Sequence, residues 1–190
     1  MIQAVVFDFF DVIHKDHQKA WLAANGYKRE GGFAEASDLL DRGQITFDEY
    51  LERYGKLSGK TPEQVRREFA DFALVDKPVV ELIEQLRQTH RTALVSNAHS
   101  NELRPILEQY DLERLFDEIC ISSEVGMAKP DPEIFEHIAG LLKLEPAQCV
   151  FTDDNLDNVT AATEVGMHGI VFTGVDSLQA GLQQLEVLAA

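Results

Sequence analysis

Cysteine is scarce in this sequence, and long apolar runs are missing. The 190 residues include two cysteines, Cys120 and Cys149. They lack the close spacing of a zinc or redox motif, so we expect both to pack as small buried hydrophobes without a disulfide. No apolar run approaches the roughly 20 residues that a membrane-spanning helix requires. Because no basic leader with a cleavage site precedes the first apolar run, we expect a soluble, cytoplasmic protein with no membrane partner.

Positive charge is also scarce. Lys and Arg total 17 against 33 Asp and Glu, which gives a formal net charge of -16. A surface of this sign repels nucleic acid and anionic lipid, so we expect neither as a partner. A small anionic substrate would need local help from a metal ion and from lysines. The sequence does not indicate the oligomeric state.

The apolar residues that are present form short runs separated by segments with helical periodicity. Alternation of short buried strands with helices predicts an α/β fold with a parallel, doubly wound sheet. The predicted strands cover residues 4–7, 92–95, 119–121, 149–151 and 169–172.

Residues from about 14 to 76 contain no convincing strand. Two helix starts are clear in this stretch: Thr46 with Glu49 forms a capping box, and Thr61 precedes a proline at the first helical position. Lys77-Pro78 then marks the return to the alternating pattern. The sequence therefore predicts a helical insertion between the first and second strands.

Polar residues follow the predicted strands, at the edge where parallel α/β sheets bind ligands. Taken singly, each has a structural explanation as a cap or turn residue. The adjacent carboxylates of Asp153 and Asp154 repel each other unless a cation compensates, and Mg²⁺ is a natural choice. Lys129 lies between fixed backbone positions, and Asp131 is placed to cap a helix that begins at Pro132. The candidate site residues are Asp8, Ser96, Asn97, Lys129, Asp153 and Asp154.

Taken together, these motifs resemble those of the haloacid dehalogenase superfamily in order and position. They are Phe7-Asp8-Phe9, Val95-Ser96-Asn97, Lys129-Pro130-Asp131-Pro132, and Phe151-Thr152-Asp153-Asp154 with Asn158. The flanking sequence is similar to the phosphatase-like branch with a helical cap, and the resemblance covers nearly the whole chain. It implies a Rossmann-like core formed by residues 1–13 and 77–190, with residues 14–76 as a helical cap.

The resemblance also implies a mechanism and a role for each site residue. Asp8 would attack phosphorus to form an aspartyl-phosphate that water hydrolyses. Mg²⁺ would be held by Asp8, the backbone carbonyl of Phe10 and Asp154. Ser96, Asn97 and Lys129 would act in catalysis by binding and stabilising the phosphoryl group. Asp153 and Asn158 would support this arrangement, and the substrate would be a small phosphorylated metabolite.

One departure from the family pattern concerns Phe10 and Asp11. Most phosphatases of the superfamily carry an acid/base aspartate where this chain has Phe10, and a glycine where it has Asp11. Asp11 is interpreted as a turn residue, and His14 and His17 are further candidates for proton transfer. Two alternatives stay open: a 2-haloacid dehalogenase, although Val12 replaces the usual threonine, and a catalytically weak protein that binds a phosphorylated ligand.

Overall fold

The fold is built on a five-stranded parallel sheet with the strand order β3-β2-β1-β4-β5. The computed structural model describes residues 1–72 and 74–189. All five predicted strands are confirmed, with ends that differ by at most two residues from those expected. The strands are β1 (Ala4–Phe7), β2 (Arg91–Ser96), β3 (Glu118–Ile121), β4 (Cys149–Asp153) and β5 (His168–Val171). The α/β prediction is therefore correct.

Helices cover both faces of the sheet, which is why the central strands are apolar throughout. Val5 and Phe7 of β1 join one hydrophobic cluster, and Ala4 and Val6 join the other. The helices that follow the helical stretch are α5 (Lys77–Leu86), α6 (Ser100–Gln109), α7 (Ser122–Val125), α8 (Pro132–Leu142), α9 (Leu156–Glu164) and α10 (Val175–Gln184); short 3-10 helices cover Glu113–Leu115 and Pro146–Gln148. Helices α5, α6 and α10 pack in the first cluster, and α8 and α9 pack in the second.

The stretch between β1 and α5 is helical, as predicted, and we call residues 14–76 the helical segment. Four helices lie in its described part. They are α1 (His17–Ala24), α2 (Gly32–Asp41), α3 (Phe47–Ser58) and α4 (Pro62–Ala70). Both predicted helix starts are confirmed: the predicted capping box is present at Thr46, and Thr61, which precedes Pro62, also forms one. The segment has a hydrophobic core of its own, formed by Trp21, Leu22, Phe33, Ala36, Leu40, Phe47, Tyr50, Leu51, Tyr54, Val65 and Phe69.

Asp131 differs from the sequence expectation. It occupies the N-cap position of α8, but its side chain makes no capping hydrogen bond. Its carboxylate instead accepts a hydrogen bond from Arg42 Nη1 at 2.9 Å. Asp131 therefore pairs with a residue 89 positions away in sequence. Its side chain links the helical segment to the core instead of capping α8.

Two smaller expectations concern cysteine and membrane spans. Cys120 and Cys149 are free thiols buried in the second cluster, as predicted. Among the described residues, no helix has the length and apolar character needed to cross a membrane.

Candidate active site

The centre of the site is a buried ammonium group between two buried carboxylates. Asp8 follows β1, where its backbone N–H donates to the carbonyl of Thr152 at 2.9 Å. Lys129 Nζ lies 2.5 Å from Asp8 Oδ1 and 2.6 Å from Asp153 Oδ2. All three side chains are buried. The predicted residues from three distant parts of the chain are thus brought into direct contact.

Burial and charge compete in this group. Burial raises the pKa of Asp8 to about 8, and the Lys129 ammonium opposes that effect. Burial disfavours the charged form of Lys129, but the attraction of Asp8 and Asp153 is larger and its pKa is raised. Lys129 therefore keeps its positive charge and offsets the repulsion between the two carboxylates.

The two adjacent aspartates after β4 have different surroundings. Both oxygens of Asp153 accept hydrogen bonds: Oδ2 from Asn158 Nδ2 at 3.0 Å as well as from Lys129, and Oδ1 from the backbone N–H of Asn155 at 2.8 Å. Asp154 is half-buried and is contacted by Lys19 at 3.4 Å. Asn155, rather than the acidic pair, caps α9. Asp153 is therefore held in place from several directions, whereas Asp154 keeps ligand capacity.

Three carboxylates at this edge of the sheet meet the chemical requirements of a hard cation. Oxygens of Asp8, Asp153 and Asp154 all lie within 4.8 Å of one another. Mg²⁺ binds carboxylate oxygens and retains several waters, so a small set of this kind is suited to it. Phe10, whose carbonyl the resemblance adds to the set, lines the same cleft.

Asn97 and Ser96 end up in different positions. Asn97 lines the cleft, and its side-chain amide exchanges two 2.8 Å hydrogen bonds with the backbone of Lys129. This pairing holds the Lys129 loop against the end of β2. Ser96 is fully buried at the last position of β2, and its hydroxyl has no hydrogen-bond partner among the described residues. Ser96 does not line the cleft.

Phe10 and Asp11 form part of a tight turn after Asp8. The Phe10 ring packs edge-on against His17, with centroids 5.4 Å apart. Asp11 has a φ of 58°, a left-handed conformation that aspartate tolerates better than most residues, which confirms it as a turn residue. Its carboxylate also accepts hydrogen bonds from the Asp16 N–H at 3.1 Å and from Lys19 Nζ at 2.6 Å. The turn is thus tied to the start of α1.

The two histidines near this turn lie outside the cleft wall. His17 Nε2 is 2.8 Å from Glu102 Oε1 in a buried pair; burial lowers the pKa of His17, but the Glu102 carboxylate outweighs it and the net change is upward. Burial lowers the pKa of His14, whose Nδ1 lies 2.7 Å from the carbonyl of Lys15. Neither imidazole is among the residues that line the cleft, so both face the packing between turn and helices.

The cleft above Asp8 has a volume of about 620 Å³ and lies between the strand ends and the helical segment. The helical segment contributes several residues that the sequence did not single out, because nothing in their local pattern distinguishes them from solvated helix surface. Packing of the segment alone brings them to the cleft. They are Asp16, Lys19, Arg29, Asp38 and Asp41.

Comparison with known proteins agrees with this architecture. D-ribitol-5-phosphate phosphatase of Bacteroides thetaiotaomicron is 28% identical over 194 residues, covering 87% of this chain and 89% of that protein. Drimenol cyclase drtB of Aspergillus calidoustus is 30% identical over 193 residues, covering 97% of this chain. The chain spans only 37% of the cyclase.

Among solved structures, a HAD family enzyme from Bacteroides thetaiotaomicron in a magnesium complex superimposes with a TM-score of 0.74 at 22% identity, covering 88% of this chain and 91% of that one. The family model for haloacid dehalogenase-like hydrolases matches residues 2–166. On the combined evidence of that match, the parallel sheet and the buried Asp8-Lys129-Asp153 group, the chain belongs to the haloacid dehalogenase-like hydrolases.

Proposed function

We propose that this chain is a magnesium-dependent phosphatase of small phosphorylated metabolites, in which residues 14–76 act as a cap over a core formed by residues 1–13 and 77–190. The observation that carries the proposal is the buried contact of Lys129 with Asp8 and Asp153, beside the less constrained Asp154. Two similarities support it: one relative is a phosphatase of a phosphorylated pentitol, and one structural neighbour is a magnesium complex.

The charge of the cleft supports the need for a metal ion. Eight aspartates and three basic residues line it. A phosphate dianion entering such a space is repelled unless further positive charge is present. Mg²⁺ held by Asp8, the Phe10 carbonyl and Asp154 would neutralise negative charge on the phosphoryl oxygens.

The chain's own residues have distinct tasks in this proposal. An oxygen of Asp8 bonds to phosphorus while the ester P–O bond breaks, giving an aspartyl-phosphate and the alcohol. Lys129 orients Asp8 and stabilises charge on the phosphoryl group, and Asp153 with Asn158 holds Lys129 in position. Asn97 fixes the Lys129 loop. The Ser96 hydroxyl is buried behind the cleft wall at the end of β2, and it would donate to a phosphoryl oxygen only if its side chain turned toward the cleft. A water then attacks phosphorus, releasing inorganic phosphate and regenerating Asp8.

No side chain in this turn is suited to donate a proton to the leaving oxygen. Phe10 cannot donate a proton, and the carboxylate of Asp11 is engaged by Lys19 and the Asp16 N–H. Water in the cleft would supply the proton, so esters with good leaving groups should react faster than alkyl phosphates. General acid catalysis is worth about 10²–10⁴-fold, and this chain would lack most of that factor.

The test is a panel of phosphate esters and 2-haloacids, assayed with and without Mg²⁺ on the wild type and on Asp8→Asn. The variant keeps the shape of Asp8 but removes its nucleophilic charge. We expect ester hydrolysis that requires both Mg²⁺ and Asp8. Halide release without metal would instead identify a dehalogenase, and binding of phosphorylated compounds with no turnover would identify a binding protein.

A further inference from the structure

We propose that Arg29 and Asp41 form a subsite that recognises hydroxyl groups on the part of the substrate remote from phosphorus. The subsite defines the substrate class as phosphomonoesters of polyhydroxylated compounds. This inference rests on the proposed phosphatase function, because it assumes that the phosphoryl group lies at Asp8.

The composition of the cleft wall is the first argument. With the phosphoryl group at the strand ends, the rest of the substrate lies toward the helical segment. Every residue that the described part of this segment contributes to the cleft is ionisable: Asp16, Lys19, Arg29, Asp38 and Asp41. An apolar tail placed against this wall would desolvate charged groups without replacing their hydrogen bonds.

The geometry of Arg29 is the second argument. Its Nη2 donates to Asp41 Oδ2 at 3.1 Å, and its side chain is 49% exposed at the cleft. A guanidinium has five N–H donors in a fixed plane. Among the described residues, only one of its nitrogens donates a hydrogen bond, so the other N–H groups can donate to a ligand. Asp41 orients this plane because its carboxylate holds one edge.

The anchoring of Asp41 is the third argument, since a specificity residue must be held relative to the reacting group. The backbone carbonyl of Asp41 accepts a hydrogen bond from Ser122 Oγ, at the end of β3. The next residue, Arg42, reaches Asp131 at 2.9 Å, two residues after Lys129. The end of α2 is therefore fastened to the same loop that carries the catalytic lysine.

The mixed charge of the pair selects among ligand chemistries. A second anionic group on the substrate would meet Arg29 but also the carboxylates of Asp16 and Asp41. A hydroxyl group both accepts from a guanidinium and donates to a carboxylate, so vicinal hydroxyls match an Arg-Asp pair. Burial raises the pKa of Asp41 to about 7, and this carboxylate is a costly group to retain for packing alone.

The experiment compares two substrates that differ only in hydroxyl groups, ribitol 5-phosphate and n-pentyl phosphate. In the wild type we expect a KM at least tenfold lower for ribitol 5-phosphate. Arg29→Met keeps much of the side-chain volume and removes the donors, so it should raise the KM for ribitol 5-phosphate at least tenfold. The KM for n-pentyl phosphate should rise much less, because this ester loses only the general attraction of the Arg29 charge and no hydrogen bond.

Arg53→Met is the matched control, because Arg53 lies in the same segment, 3.9 Å from Glu35 and outside the cleft wall. It should leave the KM and kcat for both esters unchanged.

Asp41→Asn is a second test that guards against misfolding of Arg29→Met. Because the pKa of Asp41 is raised in the folded protein, its ionised carboxylate opposes folding above pH 7. The melting temperature of the asparagine variant should therefore be no lower than that of the wild type above pH 7, while its preference for ribitol 5-phosphate should be lost.

The outcomes separate this inference from the proposed function. Magnesium-dependent hydrolysis of both esters with equal KM, or an equal effect of Arg29→Met on both, overturns the subsite and leaves the phosphatase intact. If neither ester is hydrolysed, the phosphatase proposal fails. Calorimetric titration of ribitol 5-phosphate into wild type and Arg29→Met then decides the subsite: equal affinity overturns it, and a tenfold loss in the variant supports it.

Discussion

Lys129 has only 4% of its surface exposed, yet it carries a charge that folding must remove from water. The cost is offset because two carboxylates surround the ammonium group at 2.5 and 2.6 Å. The same contacts that stabilise the buried charge also place it beside Asp8, the proposed nucleophile. In the proposed mechanism stability and catalysis therefore depend on one group, and a substitution here would affect both.

Lys129→Met should abolish hydrolysis and also destabilise the protein. Methionine is close to lysine in shape, but the substitution removes the positive charge. Asp8 and Asp153 are then buried without the lysine counterion. Loss of one partner of a buried ion pair typically costs about 3–5 kcal/mol. Urea unfolding at pH 7 measures this directly, with the exposed Lys28→Met as the control. A stable and active Lys129→Met protein would remove Lys129 from the mechanism.

Phe10 occupies the position at which the resemblance to the family implies an acid/base aspartate. Phe10→Asp places a carboxyl group at the cleft wall, and we expect turnover of n-pentyl phosphate to rise by about tenfold or more. The rise should be much smaller for p-nitrophenyl phosphate, whose leaving group needs no proton. The half-buried ring contacts His14 and His17, so a loss of about 1–3 kcal/mol in stability is expected from thermal melting. An equal change in turnover of the two esters would show that proton transfer does not limit the rate.

At the scale of elements, the sequence predicts what depends on local pattern. The apolar runs predicted five strands to within two residues, and the capping box at Thr46 and the proline after Thr61 predicted two helix starts. Asp131 shows where local reasoning fails, because the carboxylate that should cap α8 is bound by Arg42 from α2's C-terminus. Competition between a local and a distant partner is decided by packing, which local sequence does not reveal.

The backbone after the end of α2 closely approaches the core at Gly43. Gly43 has a φ of 67°, and a Cβ built there would lie 2.8 Å from the carbonyl oxygen of Ser123. Gly43→Ala should therefore separate this end of α2 from α7 and displace Asp41. We expect a loss of stability of more than 1 kcal/mol together with a raised KM for ribitol 5-phosphate.

Gly26→Ala is the matched control for this prediction. Gly26 has a similar φ of 75° but has no atom within 4 Å of the added Cβ. Its substitution introduces the same backbone strain without the contact. If the two variants have equal melting temperatures and equal KM values, the close approach of Gly43 to Ser123 does not position the subsite.

At the scale of the whole molecule, the site draws on both the core and the helical segment. Asp8 and Asp153 could be predicted because they lie at strand ends, and parallel strands end at one edge of a sheet. Lys129 follows α7 rather than a strand, and the motif Lys129-Pro130-Asp131-Pro132 predicted it. Arg29 and Asp41 could not, because their place at the cleft depends on how α1 to α4 pack against one another. Residues carried on strand ends are therefore predictable from pattern, whereas residues carried on packed helices require the tertiary structure.

The net charge of -16 sets the last prediction, because it acts on every anionic substrate before any contact forms. Screening shortens the range of this repulsion from about 30 Å at 0.01 M salt to about 8 Å at 0.15 M. At saturating Mg²⁺, kcat/KM for a phosphate ester should rise severalfold over this range while kcat stays constant.

Asp38→Asn removes one charge at the cleft and should raise kcat/KM at low salt and flatten the salt dependence. Glu81→Gln removes an exposed charge on α5, outside the cleft wall, and should change neither. A kcat/KM that falls with salt would mean that the bound cation and Lys129 dominate the field that the substrate meets, and that the acidic surface does not hinder its approach.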